Sequence, residues 1–186
     1  MKTILFFLMI AFSFGSFAQS GLDVGDKVPG FTATADNGST WDLKKHVGKK
    51  YLVVYFYPAA MTGGCTAQAC AYRDMSSDLQ NADALVVGVS GDTPEGLKFF
   101  KEAHDLNFTL LSDESGDIAR LFGVPSRDGG SFKSEFNGKP FELERGITTS
   151  RWTFIIDKKG KIVYKNDEVN ARQDTEEVLR FLKNNT

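Results

Sequence analysis

Cys65 and Cys70 are the only two cysteines in this chain of 186 residues, and they stand five positions apart where an apolar run gives way to a helical pattern. Tyr51 to Tyr57 carry aromatic and β-branched side chains with no polar interruption, which reads as a strand buried on both faces. Pro58 ends the run. A short loop follows, with Thr62 as the N-cap, then Gly63 and Gly64, then Ala67, Cys70, Ala71, Met75 and Leu79 at helical spacing. Cys65 therefore falls in the first turn of a helix. There the backbone N–H groups have no intrahelical partner and the positive end of the macrodipole favours a thiolate, the form of cysteine that acts as a nucleophile.

The plain alternatives are a disulfide staple or two small buried hydrophobes. Five residues along a helix give a rise of about 7.5 Å and a rotation of roughly 140°, so the two Cα atoms lie about 8 to 9 Å apart. A disulfide tolerates less than about 7 Å. A bond between the pair requires the first turns of the helix to unwind, which makes it a step in a cycle rather than a strut.

Pro58, Thr62 and Cys65 form a P-x-x-x-T-x-x-C pattern that resembles the peroxiredoxins. Cys70, five positions after Cys65, matches their bacterioferritin-comigratory or Q-type subgroup. The blocks GLDVGDKVPGFTATADNGSTWDL, YLVVYFYP, LVVGVSGDTPEGLKFFKEAH, FTLLSDESGDIARLFGV and SRWTFIIDKKGKIVY look like that family in the same order, over about residues 22 to 182. The resemblance implies a thioredoxin-like fold and a peroxidase of hydrogen peroxide and organic hydroperoxides. In it Cys65 would be peroxidatic and Cys70 resolving, with an intramolecular disulfide recycled by a thioredoxin-like reductant. Arg151 matches the arginine of an R-x-T-F segment; it would hold a permanent positive charge beside Cys65 and orient the peroxide oxygens. Thr62 would hydrogen-bond the sulfur and the peroxide, the N–H groups near Gly64 and Cys65 would stabilise charge developing on oxygen, and Pro58 would shield the pocket. No cofactor or metal is implied, and the subgroup favours a monomer. Gly63 stands where the family usually has proline, which implies a more flexible loop, and Gln68 where the subgroup often has glutamate.

Met1 to Ala18 combine one early charge at Lys2, an apolar stretch from Ile4 to Phe14 and a Ser-Phe-Ala end. This reads as a secretory signal peptide cut between Ala18 and Gln19; the apolar stretch is shorter than the roughly 20 residues of a membrane anchor. An exported, periplasmic or secreted protein follows, in a compartment where disulfides persist, with no stable membrane association after cleavage. Residues 19–186 suffice for one domain, and 41% apolar with 25% charged residues is ordinary globular composition. The net charge of −2 is spread along the chain, with no basic patch to suggest nucleic acid.

The remaining pattern is α/β: a central mixed sheet flanked by helices, with an N-terminal β-hairpin. FTATA and STWDL, turned by Asp36-Asn37-Gly38, predict that hairpin. Ala84 to Ser90 predicts a second buried strand, Thr93-Pro94-Glu95 a helix running to His104, Phe108 to Leu111 a third strand, and Asp117 to Phe122 a short helix closed by Gly123. Pro125 to Ser150 reads as a long surface loop able to form a hairpin, placed near the active site, where it could shape substrate access or reductant docking. Thr153 to Asp157 pairs through Lys159-Gly160 with Lys161 to Tyr164, and Asp174 to Asn184 forms an amphipathic helix. His46 reads as a solvated surface residue and His104 as a structural one, charged at a helix end.

Three rival functions fit less of the chain. A disulfide oxidoreductase on this fold usually carries C-x-x-C, which the four intervening residues do not match. A copper-binding thiol protein needs a histidine near the cysteines, and only His46 and His104 exist. A non-catalytic binding domain would show itself by an unreactive Cys65.

Overall fold

The alternation of apolar runs with amphipathic segments builds a seven-stranded mixed sheet in the computed structural model, which describes residues 21–185. The segment expected to be a signal peptide lies outside the described residues. The strands are β1 (Thr32–Ala35), β2 (Thr40–Asp42), β3 (Tyr51–Phe56), β4 (Ala84–Ser90), β5 (Thr109–Ser112), β8 (Trp152–Ile156) and β9 (Ile162–Asn166). Their spatial order is β2-β1-β5-β4-β3-β8-β9. The β3–β4 and β4–β5 pairs are parallel and the others antiparallel. A separate hairpin joins β6 (Ser126–Phe136) to β7 (Lys139–Thr149), and the helices are α1 (Gly63–Asp74), α2 (Ser76–Asn81), α3 (Pro94–Ala103), α4 (Asp117–Phe122) and α5 (Asp174–Asn185). The N-terminal hairpin is β1 and β2, attached to the sheet through β5.

Alternation along β3 sorts its side chains to two faces. Val53, Tyr55 and Tyr57 pack with Cys65, Ala69 and Tyr72 of α1, Leu97 and Phe100 of α3, and Val178 and Leu182 of α5. Leu52, Val54 and Phe56 pack on the other side with Trp41, Ile118, Phe122 and Phe154. Burial on both faces explains the unbroken apolar run. Gly88 of β4 makes room for Tyr55: a Cβ there would lie 2.7 Å from the tyrosine oxygen.

Four features correct or sharpen expectation. The helical pattern that runs to Leu79 breaks at Met75 into α1 and α2; the Ser76-Ser77-Asp78 stretch favours a new start, and Asn107 Nδ2 donates to Arg73 O and Ser76 Oγ at the break. The 125–150 segment takes the hairpin form that its sequence left open, as two long paired strands rather than a plain loop. Its Asn137-Gly138 turn has both φ values positive, 53° and 74°, as a tight hairpin turn requires. The hairpin folds over α3, with Phe141 5.1 Å from Phe99 and Phe136 5.3 Å from His104, centroid to centroid. His104 is structural at the C-terminal end of α3 as expected, but burial, then the charge of Arg73, lowers its pKa, against the positive charge that the helix end favours. His46 is half-buried and stacked on Trp41 at 4.7 Å, with its pKa also lowered chiefly by burial.

Candidate active site

Strand β3 delivers the chain to a turn at Pro58, and α1 starts five residues later, at Gly63. Two hydrogen bonds fix that turn from outside. Thr149 Oγ1, at the end of β7, donates to Tyr57 O at 3.0 Å, and Ala60 N donates to Asp92 Oδ2 at 2.8 Å. Asp92 is fully buried and paired with Arg145 Nε of β7 at 3.1 Å. Met61, between these ties and the helix, has φ of 62°, a left-handed conformation that a non-glycine residue keeps only where its surroundings impose it.

Thr62 occupies the N-cap with extended backbone angles, but its side chain does not cap the helix. Its hydroxyl donates instead to Ala59 O at 2.8 Å, which closes the loop. Gly63, Gly64 and Cys65 are then the first three helical residues, so their N–H groups have no intrahelical partner.

Cys65 is 2% exposed. Arg151, from the link between β7 and β8, donates through Nη2 to Cys65 Sγ at 3.3 Å and through Nη1 to Gln68 Oε1 at 2.5 Å. A Cβ on Gly64 would lie 3.4 Å from the same Nη2, so the guanidinium lies close over the helix start. Gln68 Nε2 in turn donates to Asp174 Oδ2 at 2.6 Å, an oxygen that also accepts from Tyr72 Oη at 2.7 Å and Thr153 Oγ1 at 3.0 Å. Burial raises the Asp174 pKa, against the three donors that favour its ionised form. The Tyr55 hydroxyl, in the same buried cluster as Cys65, is pushed well above the usual phenol value by burial first, then by Cys65 and Asp174.

Cys70 is half-buried farther along α1, and both cysteines are free thiols. Pro58 is half-buried and lines a groove with Pro125, Arg127 and Thr149 at the base of the hairpin. The structure thus brings together Cys65, Arg151, Gly64 and the Thr62 loop. It leaves Cys70 on a wound helix, and it gives Thr62 no direct hydrogen bond to the sulfur. Among the described residues no group of three or more His, Cys, Asp or Glu is arranged to hold a metal. Sequence reasoning missed Asp92, Arg145, Tyr72 and Asp174. Arg145 had no local signal, whereas Asp174 was visible only as an acidic helix start.

The site thus sets a buried thiol against a guanidinium at a helix start whose N–H groups have no intrahelical partner. Residues 24–165 match the AhpC/TSA family. The chain belongs to that family. It is a peroxiredoxin of the Bcp or Q type. It is 40% identical over 162 residues to the peroxiredoxin Bcp of Escherichia coli strain K12, spanning 87% of this chain and 96% of the relative. To the chloroplastic peroxiredoxin Q of Populus jackii it is 39% identical over 161 residues, spanning 86% and 67%. Among solved structures it is similar to the peroxidoxin BcpB of Mycobacterium tuberculosis, with a TM-score of 0.74 and 30% identity over 89% of this chain and 99% of that one. The peroxiredoxin Q of Xanthomonas campestris gives 0.69 and 26% over 83% and 90%. The peroxiredoxin fold is the thioredoxin-like one, and the activity that comes with membership is thiol-dependent peroxide reduction.

Proposed function

We propose that Cys65 is the peroxidatic residue of this peroxiredoxin and Cys70 its resolving residue, acting on hydrogen peroxide and organic hydroperoxides. The observation that carries the reading is Arg151 Nη2 at 3.3 Å from the buried Cys65 Sγ. The Cys65 thiolate attacks the terminal peroxide oxygen, which stays on sulfur, the O–O bond breaks, and the other oxygen leaves as water or an alcohol after taking a proton. Cys65 becomes a sulfenic acid. Arg151 and the N–H groups of Gly64 and Cys65 offset charge on the departing oxygen. The Thr62 hydroxyl, donating to Ala59 O, presents its lone pairs to the peroxide proton, and Pro58 limits access of water. The first turns of α1 then unwind, Cys70 Sγ attacks the Cys65 sulfur, and water leaves as the disulfide forms. A thioredoxin-like dithiol restores both thiols by exchange.

The protein is exported, on the support of the apolar stretch between Lys2 and Ala18, and works as a monomer without stable membrane association. Among the described residues no helix is long and apolar enough to cross a membrane. The test is Cys70→Ser: the first oxidation should keep its rate while reductant-driven turnover is lost. Undiminished turnover with a thioredoxin-like reductant would remove Cys70 from the resolving role.

A further inference from the structure

Asp174 opens α5 and is fully buried, yet one of its oxygens gathers three donors from two other elements: Gln68 and Tyr72 of α1 and Thr153 of β8. Its other oxygen, Oδ1, has no hydrogen-bond partner among the described residues. Residues 65, 68 and 72 are spaced i, i+3 and i+7, so they share one stripe of α1. At the front of the stripe Cys65 meets Arg151. At its back the stripe is pinned to α5 by a single carboxylate oxygen, and Gln68 joins the two ends by donating to Asp174 and accepting from Arg151. A carboxylate buried in this way is weak support for stability, since well-packed apolar groups often do as well.

We propose that Asp174 is a positioning residue that acts through Gln68 on Arg151 and latches α1 in its wound form, so that it sets how the oxidised Cys65 is partitioned between disulfide formation and over-oxidation. The inference rests on the assignment of Cys65 and Cys70 given above. A Cys65 sulfenic acid has two fates. In the first, Cys70 Sγ attacks the sulfenic sulfur, the S–O bond breaks, and the hydroxyl leaves as water with a proton. In the second, the sulfenate sulfur attacks a second hydroperoxide, gains its terminal oxygen to become a sulfinic acid, and the remainder leaves as water or an alcohol. Only the first fate needs unwinding. Gln68 lies between the two cysteines, so its side chain must release both Asp174 and Arg151 before Cys70 can reach Cys65. A strong latch keeps the site assembled for peroxide but exposes the sulfenic acid longer to a second oxidation. Tyr72, two residues past Cys70, keeps the remainder of the helix anchored to the same carboxylate.

The test is Asp174→Asn, which preserves shape but replaces a charged acceptor by a weaker neutral one. The full chain, reduced and then exposed to graded hydrogen peroxide, is followed by stopped-flow fluorescence and by mass spectrometry of the sulfinic and disulfide products. In the variant the sulfinic fraction per turnover should fall about three- to tenfold, as expected for one weakened charge-assisted hydrogen bond, while the first oxidation slows by a similar factor. Gln68→Met cuts the same link from α1 and should move both readouts in the same direction, which keeps the test open if Asp174→Asn folds poorly. Leu179→Ala loosens α5 through apolar packing alone and should leave the sulfinic fraction within about twofold of wild type. Unchanged partition in both Asp174→Asn and Gln68→Met, or an equal fall in Leu179→Ala, overturns the latch. A wild-type protein that forms no Cys65–Cys70 disulfide fails earlier and separately, since it refutes the resolving assignment before any variant is compared.

Discussion

Arg151 spans two acceptors at once, Cys65 Sγ at 3.3 Å and Gln68 Oε1 at 2.5 Å, and only a planar fork of donors can do this. Lysine carries the same charge as a point on a flexible stem. Arg151→Lys should therefore lower the second-order rate constant with hydrogen peroxide by at least about tenfold, and Arg151→Gln by about 10² to 10³, the usual loss for one group that stabilises a developing oxyanion. Stopped-flow kinetics on folded variants checks both; equal rates for Lys and Arg would reduce the arginine to a source of charge. At this scale the site was partly legible. Cys65 could be singled out from its place in the first turn of a helix, whereas the roles of Thr62 and Arg151 came only with the family resemblance. Gln68 was noticed only as a departure, and Asp174 was missed because its contact with Gln68 spans 106 residues of sequence. A carboxylate at the start of a helix looks the same in sequence whether it faces solvent or a buried network.

At the scale of elements, α1 must be stable enough to present Cys65 and loose enough to deliver Cys70. Gly63 is its first helical residue, follows an extended Thr62 with ψ of 147°, and has open space where a Cβ would stand. Proline fits such a position, with its fixed φ and missing N–H. Gly63→Pro should stabilise the folded chain by about 0.4 to 1 kcal/mol and raise Tm by about 1 to 4 °C, while slowing disulfide formation after the first oxidation. A variant with higher Tm and unaltered resolution would mean that unwinding does not reach the start of α1. The hairpin of β6 and β7 acts on the same loop from the other side. Arg145, 12% exposed, pairs with the buried Asp92 that holds Ala60 N. Arg145→Ala leaves that carboxylate buried and uncompensated, so it should cost about 3 to 5 kcal/mol in denaturant unfolding and lower the peroxide rate through the loop; a loss below about 1 kcal/mol would show the pair to be dispensable. The hairpin was only half legible because its strands are made of glycine, serine and charge rather than β-branched residues. Asn137-Gly138 signalled the turn, but the packing of Phe136 and Phe141 on α3 that orders the strands is long-range. Strands β3 and β4 were legible almost to the residue, since each is an unbroken apolar run, buried on both faces along β3 and along all of β4 but its start at Leu85 and Val86.

For the molecule as a whole, the two histidines give a pH dependence whose sign follows from their surroundings. Burial lowers the pKa of both His46 and His104 below the ordinary 6.5. A base with a depressed folded pKa contributes stability that is fully present above its unfolded value and is lost as pH falls through the folded one. The advantage of wild type over His104→Gln in urea midpoint should therefore be largest near pH 7.5 and shrink toward pH 5; a gap that widens on acidification would contradict the burial of His104 under the hairpin. The seven-stranded sheet sets β3, α1 and the Arg151 segment side by side, and that juxtaposition underlies an intramolecular cycle within α1. Stopped-flow oxidation of the reduced protein by hydrogen peroxide, with mass spectrometry of the product, tests it most directly. The account predicts oxidation far faster than that of a free thiol and a single Cys65–Cys70 disulfide within one chain. A rate near that of a free thiol, or a disulfide joining two chains, would contradict it.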